Sequence, residues 1–105
     1  MATVIVILGC GLAYAMSVSY TVEVIDGNTE NPIEDADVYL IGTVFLEKPP
    51  GFLTYEEVTD EDGEAYFPSV QTGEYSLVIM ADGYGPYSEV VTIDASKRRR
   101  SIAVF

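Results

Sequence analysis

The chain has 105 residues, no His, no Trp, one Cys and five basic side chains against seventeen acidic ones, for a formal net charge of −12. That length holds one domain, and so little His, Cys and base leaves out most nucleophile, general-base and metal-ligand arrangements, so neither enzyme activity nor a cofactor is expected. All seventeen acids lie between Glu23 and Asp94, where Lys48 is the only base, and the other four bases are consecutive; an acidic body with so short a basic run repels nucleic acid, which is not expected as a partner.

Residues 1–22 carry no charged side chain, and Val4, Ile5, Val6, Ile7 and Leu8 form an apolar run that must find apolar cover. Three fates compete for it. A secretory signal peptide would be cut after Ala13-Tyr14-Ala15, although no base precedes the run. A lipoprotein signal would lipidate Cys10 behind Ile7-Leu8-Gly9. A retained segment, the favoured fate, would be buried on assembly, and in this it resembles the hydrophobic tails of pilin-like subunits. As a helix over residues 3–19 it would be roughly 25 Å long, just short of a comfortable membrane span, so a membrane contact stays open. Gly9 with Ala13 and Gly11 with Ala15 fit the small-x-x-x-small spacing of closely packed helices. The β-branched run from Thr3 also reads as a strand donated to a neighbour's sheet edge, although the helix is preferred. Cys10 is alone and leaves the redox compartment open. The division is therefore a hydrophobic segment over 1–19 and a globular domain over 20–105.

Beyond Met16 the period changes. Val18, Tyr20, Val22 and Val24 alternate with Ser17, Ser19, Thr21 and Glu23, a half-buried strand that Asp26-Gly27-Asn28 closes with turn chemistry. Further strands are predicted over 36–41, 53–59, 65–67, 74–81, 87–93 and 101–105, with Tyr75, Leu77 and Ile79 on one face and Tyr20 and Tyr75 in the core. Seven short strands separated by Gly, Pro and Asp clusters predict an all-β, immunoglobulin-like sandwich. The stretch 42–52, with Pro49-Pro50-Gly51, cannot continue a central strand and is placed at one end, where Phe45, Leu46 and Phe52 either are exposed or fold back.

Three segments carry a resemblance. Pro32-Ile33-Glu34-Asp35-Ala36-Asp37-Val38-Tyr39-Leu40, Thr59-Asp60-Glu61-Asp62-Gly63-Glu64-Ala65-Tyr66-Phe67, and Gly73-Glu74-Tyr75-Ser76-Leu77-Val78-Ile79-Met80-Ala81-Asp82-Gly83-Tyr84 follow in the order and spacing of carboxypeptidase regulatory-like domains. The resemblance covers about residues 20–105. It implies a seven-stranded, transthyretin-like sandwich, from a family of stalk, spacer and adhesion modules without an active site of their own, and it implies that Tyr84 packs at the sandwich end. The chain is also similar to Cna-B pilin modules, whose strands are joined by a Lys to Asn isopeptide bond. No Lys lies in the first strand here, so that cross-link is not carried over.

Asp60, Asp62 and Glu64 form a weak calcium candidate. An EF-hand loop would need a Glu at its twelfth position, where Gln71 stands, so a hairpin turn with Gly63 in the left-handed region is preferred. Among eight tyrosines, Tyr39 and Tyr87 are candidate surface contacts. The run Lys97, Arg98, Arg99 and Arg100 is placed between the last two strands, either as a solvated turn or as a basic spot that meets a neighbour's acidic face; in an anchored monomer it could instead touch anionic headgroups.

The expected function is a self-assembling, extracellular surface filament or pilus-like subunit whose main partner is itself. The alternatives are a secreted or membrane-anchored adhesion module and a virion decoration protein. The ligand, source and symmetry of any assembly are not legible in the residues.

Overall fold

The computed structural model describes residues 17–42 and 53–105, which form seven strands and no helix. The strands are β1 (Ser17–Asp26), β2 (Asp37–Gly42), β3 (Leu53–Val58), β4 (Glu64–Gln71), β5 (Gly73–Met80), β6 (Tyr87–Ile93) and β7 (Arg99–Val104). They make two sheets, one ordered β4-β1-β7 and the other β3-β2-β5-β6. Every pairing is antiparallel except β1 with β7, which is parallel and sets Thr21 against Arg99 and Asp26 against Val104. The predicted all-β sandwich is therefore observed.

Alternation builds the core. Tyr20, Val22 and Val24 of β1, Ile102 and Val104 of β7, Val38 and Leu40 of β2, and Tyr75, Leu77 and Ile79 of β5 all point between the sheets and are buried. Burying side chains of this size contributes about 1.5–3 kcal/mol each, which makes the interdigitated core the main source of stability. Tyr75 keeps its phenol satisfied in that core by donating to the Gln71 carbonyl at 2.6 Å, while the Gln71 amide donates to Tyr55 at 3.0 Å. Burial pushes the Tyr75 hydroxyl pKa up. Gly42 permits this packing, because a Cβ there would stand 2.9 Å from the Tyr75 ring.

Two strands differ from the sequence reading by more than one residue at a boundary. The fourth strand, expected over 65–67, continues through Pro68 to Gln71. Pro68 is tolerated because β4 is an edge strand and the register shifts between Val18 and Tyr20, so Pro68 and Ser69 sit in a bulge where no ladder amide is needed. The last strand begins at Arg99 instead of residue 101, because β7 lies in register beside β1 and the Thr21 amide donates to the Arg98 carbonyl at 3.0 Å. Half of the basic run thus belongs to a strand, and the run as a whole does not lie between strands.

The described connections gather at two poles. The links 27–36, 59–63 and 81–86 meet at the pole where β1 ends, together with Phe105. The turn after β4, the link from β6 to β7 and the start of β1 at Ser17 lie at the opposite pole.

Candidate functional site

At the Ser17 pole, Asp94 caps its own turn: one carboxylate oxygen accepts the Ser96 amide at 2.8 Å and hydroxyl at 2.7 Å. These bonds hold its carboxyl below the usual range. The turn carries the chain from the edge of one sheet, β6, to the edge of the other, β7, and leaves a cleft of about 570 Å³ between them. Tyr20 lies at its base, Glu89 to Thr92 form one wall, and Ser96 to Arg100 form the other.

The four bases of the run have separate environments. Arg99 points outward to Glu64 at 2.9 Å and Glu23 at 3.7 Å, which relieves the repulsion between two carboxylates that face each other on β1 and β4. Arg100 forks onto both carboxylate oxygens of Glu89 on β6, and Glu89 also accepts the Tyr87 hydroxyl at 2.7 Å. These bonds, Arg100 foremost, hold the Glu89 carboxyl low. The Arg98 guanidinium is steered by the hydroxyl of Ser19 at 2.7 Å. Neither Lys97 nor Arg98 forms a salt bridge among the described residues.

At the other pole, Asp60 organises the acidic turn. Its Oδ1 accepts the amides of Asp62 at 2.9 Å and Glu64 at 3.0 Å, and Gly63 adopts φ +76°. Glu64 is already paired with Arg99. The weak calcium candidates Asp60, Asp62 and Glu64 therefore do not converge, and no group of three or more potential metal ligands occurs among the described residues.

Tyr39 is half-buried on the outer face of β2, where the neighbouring Glu56 carboxylate raises its pKa. Tyr87 is half-buried and committed to Glu89. The aromatic side chains most open to solvent among the described residues are Tyr66, 57% exposed, and Phe105, 69% exposed. The alternation of Ala65-Tyr66-Phe67 already sets Tyr66 outward, but the sequence reading did not single it out.

Sequence reasoning missed Thr59, and of Asp26 it gave the turn but not the bond to Tyr84. The buried Thr59 hydroxyl donates to the Ile33 carbonyl at 2.7 Å and accepts the Ala36 amide at 2.8 Å, so it joins two loops of the acidic pole. Asp26 accepts the Tyr84 hydroxyl at 2.6 Å and the amides of Asn28 and Thr29. Led by the Tyr84 bond, these hold its carboxyl at about 2. The apolar candidates Val4, Ile5, Val6, Ile7, Leu8, Gly9, Gly11, Ala13 and Ala15, and the stretch 43–52, lie outside the described residues. Among the described residues no helix is long and apolar enough to cross a membrane.

Comparison with known proteins decides the family, because the family model for the carboxypeptidase regulatory-like domain matches residues 19–104. The chain belongs to that family. Among solved structures it is similar to an intradiol ring-cleavage dioxygenase from Tetranychus urticae (TM-score 0.55, 23% identity, 76% of this chain and 53% of that one). A second dioxygenase gives TM-score 0.58 and 22% identity over 77% of this chain and 54% of that one. A streptococcal ancillary pilin gives TM-score 0.55 and 14% identity over 84% of this chain and 29% of that one. No curated protein matches. These likenesses show the fold alone, and the chain spans about half the length of the dioxygenases and under a third of the pilin.

In this carboxypeptidase regulatory-like domain, residues of all three signature segments meet at the acidic pole. Pro32 forms a bridge to Ile25, Thr59 bonds Ile33 and Ala36, the Gly63 carbonyl accepts the Val24 amide at 2.7 Å, and Tyr84 bonds Asp26. Their conspicuous spacing serves loop packing at that end of the sandwich.

Proposed function

We propose that this chain is a non-enzymatic structural subunit of an extracellular, pilus-like filament, its apolar N-terminal segment buried between subunits and its sandwich facing outward. The observation that carries this reading is the uncharged apolar run from Val4 to Leu8, which must find apolar cover. The cheapest cover for such a run is another copy. The likeness of fold to a streptococcal ancillary pilin supports the same reading. So does a sequence without His and with a single Cys, which is poorly equipped for catalysis.

Electron microscopy of the purified full chain, beside a chain lacking residues 1–15, tests it. Filaments are expected from the first and soluble monomers from the second. A truncated chain that still polymerises, or a full chain that stays monomeric, defeats the reading; the latter outcome favours a secreted or anchored adhesion module.

A further inference from the structure

Among the described residues, the two poles differ in charge. The three links at the far pole carry Glu30, Glu34, Asp35, Asp60, Glu61, Asp62 and Asp82 and no base. The link at the Ser17 pole carries Lys97 and Arg98 beside one acid, Asp94, whose carboxylate is taken up by its own turn.

We propose that the cleft between β6 and β7 receives the acidic turn around Glu61 and Asp62 of a second copy, so that subunits join pole to pole. The inference rests on the filament reading above and names the contact that would propagate it. Both sides are prepared. In the cleft, Arg99 and Arg100 are neutralised within the chain, whereas Lys97 and Arg98 form no salt bridge among the described residues, and Lys97 feels only the weaker pull of Asp94. Arg98 is nevertheless held in place by Ser19, which lowers the entropy lost on binding an anion.

On the turn, the Asp60 carboxylate is consumed by backbone amides, which fixes the loop and leaves the side chains of Glu61 and Asp62 exposed, with no hydrogen bond or ion pair among the described residues. Two exposed anions on a rigid tip match two unpaired cations in a cleft. Contact between like poles is repulsive, whereas basic to acidic contact is head-to-tail and leaves one pole free on each end, the condition for an open polymer. Because the contact is electrostatic and peripheral, it weakens with salt.

The test uses the full chain with K97E/R98E, E61K/D62K and an equimolar mixture of the two. Sedimentation velocity reads association at low and high salt. Carbodiimide coupling with mass spectrometry then reads which carboxylates Lys97 reaches, in a chain whose only other lysine is Lys48. Each variant alone is expected to associate about tenfold or more weakly than wild type, as reversal turns two attractions into repulsions. The mixture is expected to recover association, which also shows that both variants fold. Wild type should give intermolecular links from Lys97 to Glu61 or Asp62. If the variants polymerise like wild type and Lys97 links only within its own copy, the docking inference is overturned while the filament reading stands. If wild type is monomeric with no intermolecular link, both are overturned.

Discussion

Arg100 of β7 and Glu89 of β6 clasp the two sheets together along the open side of the sandwich. Both occupy inward register positions, Arg100 in line with Ile102 and Val104, and Glu89 in line with Val91 and Ile93. Neither could be buried as a lone charge, so each reaches along the cleft mouth to the other and shields Tyr20 behind them.

Removing this clasp should loosen that side. Arg100→Ala and Glu89→Gln are each expected to destabilise by about 1 kcal/mol, since the pair is forked but partly solvated. The Glu89 carboxyl is held low, so its contribution is complete above the ordinary carboxylate range and is lost as pH falls through its lowered value. A double-mutant cycle from urea unfolding at pH 7 measures the coupling; additive single effects would show that the two groups do not cooperate.

Thr59 should be less replaceable than its size implies. Thr59→Val keeps the shape but strands the Ala36 amide and the Ile33 carbonyl, at an expected cost of about 1–3 kcal/mol. Thr59→Ser retains the hydroxyl and should lose less. Equal unfolding midpoints for the valine and serine variants would contradict this.

How far these features are legible in the sequence depends on the range of the interaction. Strands β1, β2 and β5 announce themselves because alternation is local and their inward residues are uniformly apolar. The full length of β4 is not legible, because its passage through Pro68 depends on a bulge and an edge position, which are tertiary facts. Arg99 and Arg100 misled because a run of like charges is read as solvated, whereas here the partners Glu64 and Glu89 are brought in from two other strands. The bonds of Thr59 and the bond from Tyr84 to Asp26 gave no signal, since those partners lie far along the chain, whereas the Asp26 turn was legible because its amide partners are two and three residues on.

Acid should reveal the Asp26 contact. With its carboxyl at about 2 in the folded chain, Asp26 binds a proton more readily when unfolded, so its contribution is present above the usual carboxylate range and fades as pH falls towards about 2. Asp26→Asn removes the charge at nearly constant size. The Tm difference between wild type and this variant should be largest near neutral pH and shrink in acid. A difference that stays constant from pH 6 to pH 2 would mean that the carboxylate is not what Tyr84 and the two amides stabilise.

Two glycines at the acidic pole should respond to very different extents to the same added methyl. Gly63 has φ +76°, and a Cβ there would stand 2.7 Å from the Val24 carbonyl oxygen and 2.9 Å from the Pro32 Cβ, both fixed by strand pairing and a bridge. Gly63→Ala therefore combines left-handed strain with a clash that cannot relax, and should cost on the order of 2 kcal/mol or more. At Gly27 the added Cβ would stand only 2.2 Å from the Phe105 ring, nominally a worse collision. That ring, however, is 69% exposed, so it can swing away. Gly27→Ala should cost well under about 1 kcal/mol, with entropy removed from the unfolded chain offsetting part of the loss. Thermal unfolding of the two variants side by side decides the matter: a smaller Tm loss for Gly63→Ala than for Gly27→Ala would mean that nominal overlap, and not the freedom of the neighbour to yield, governs packing at this pole.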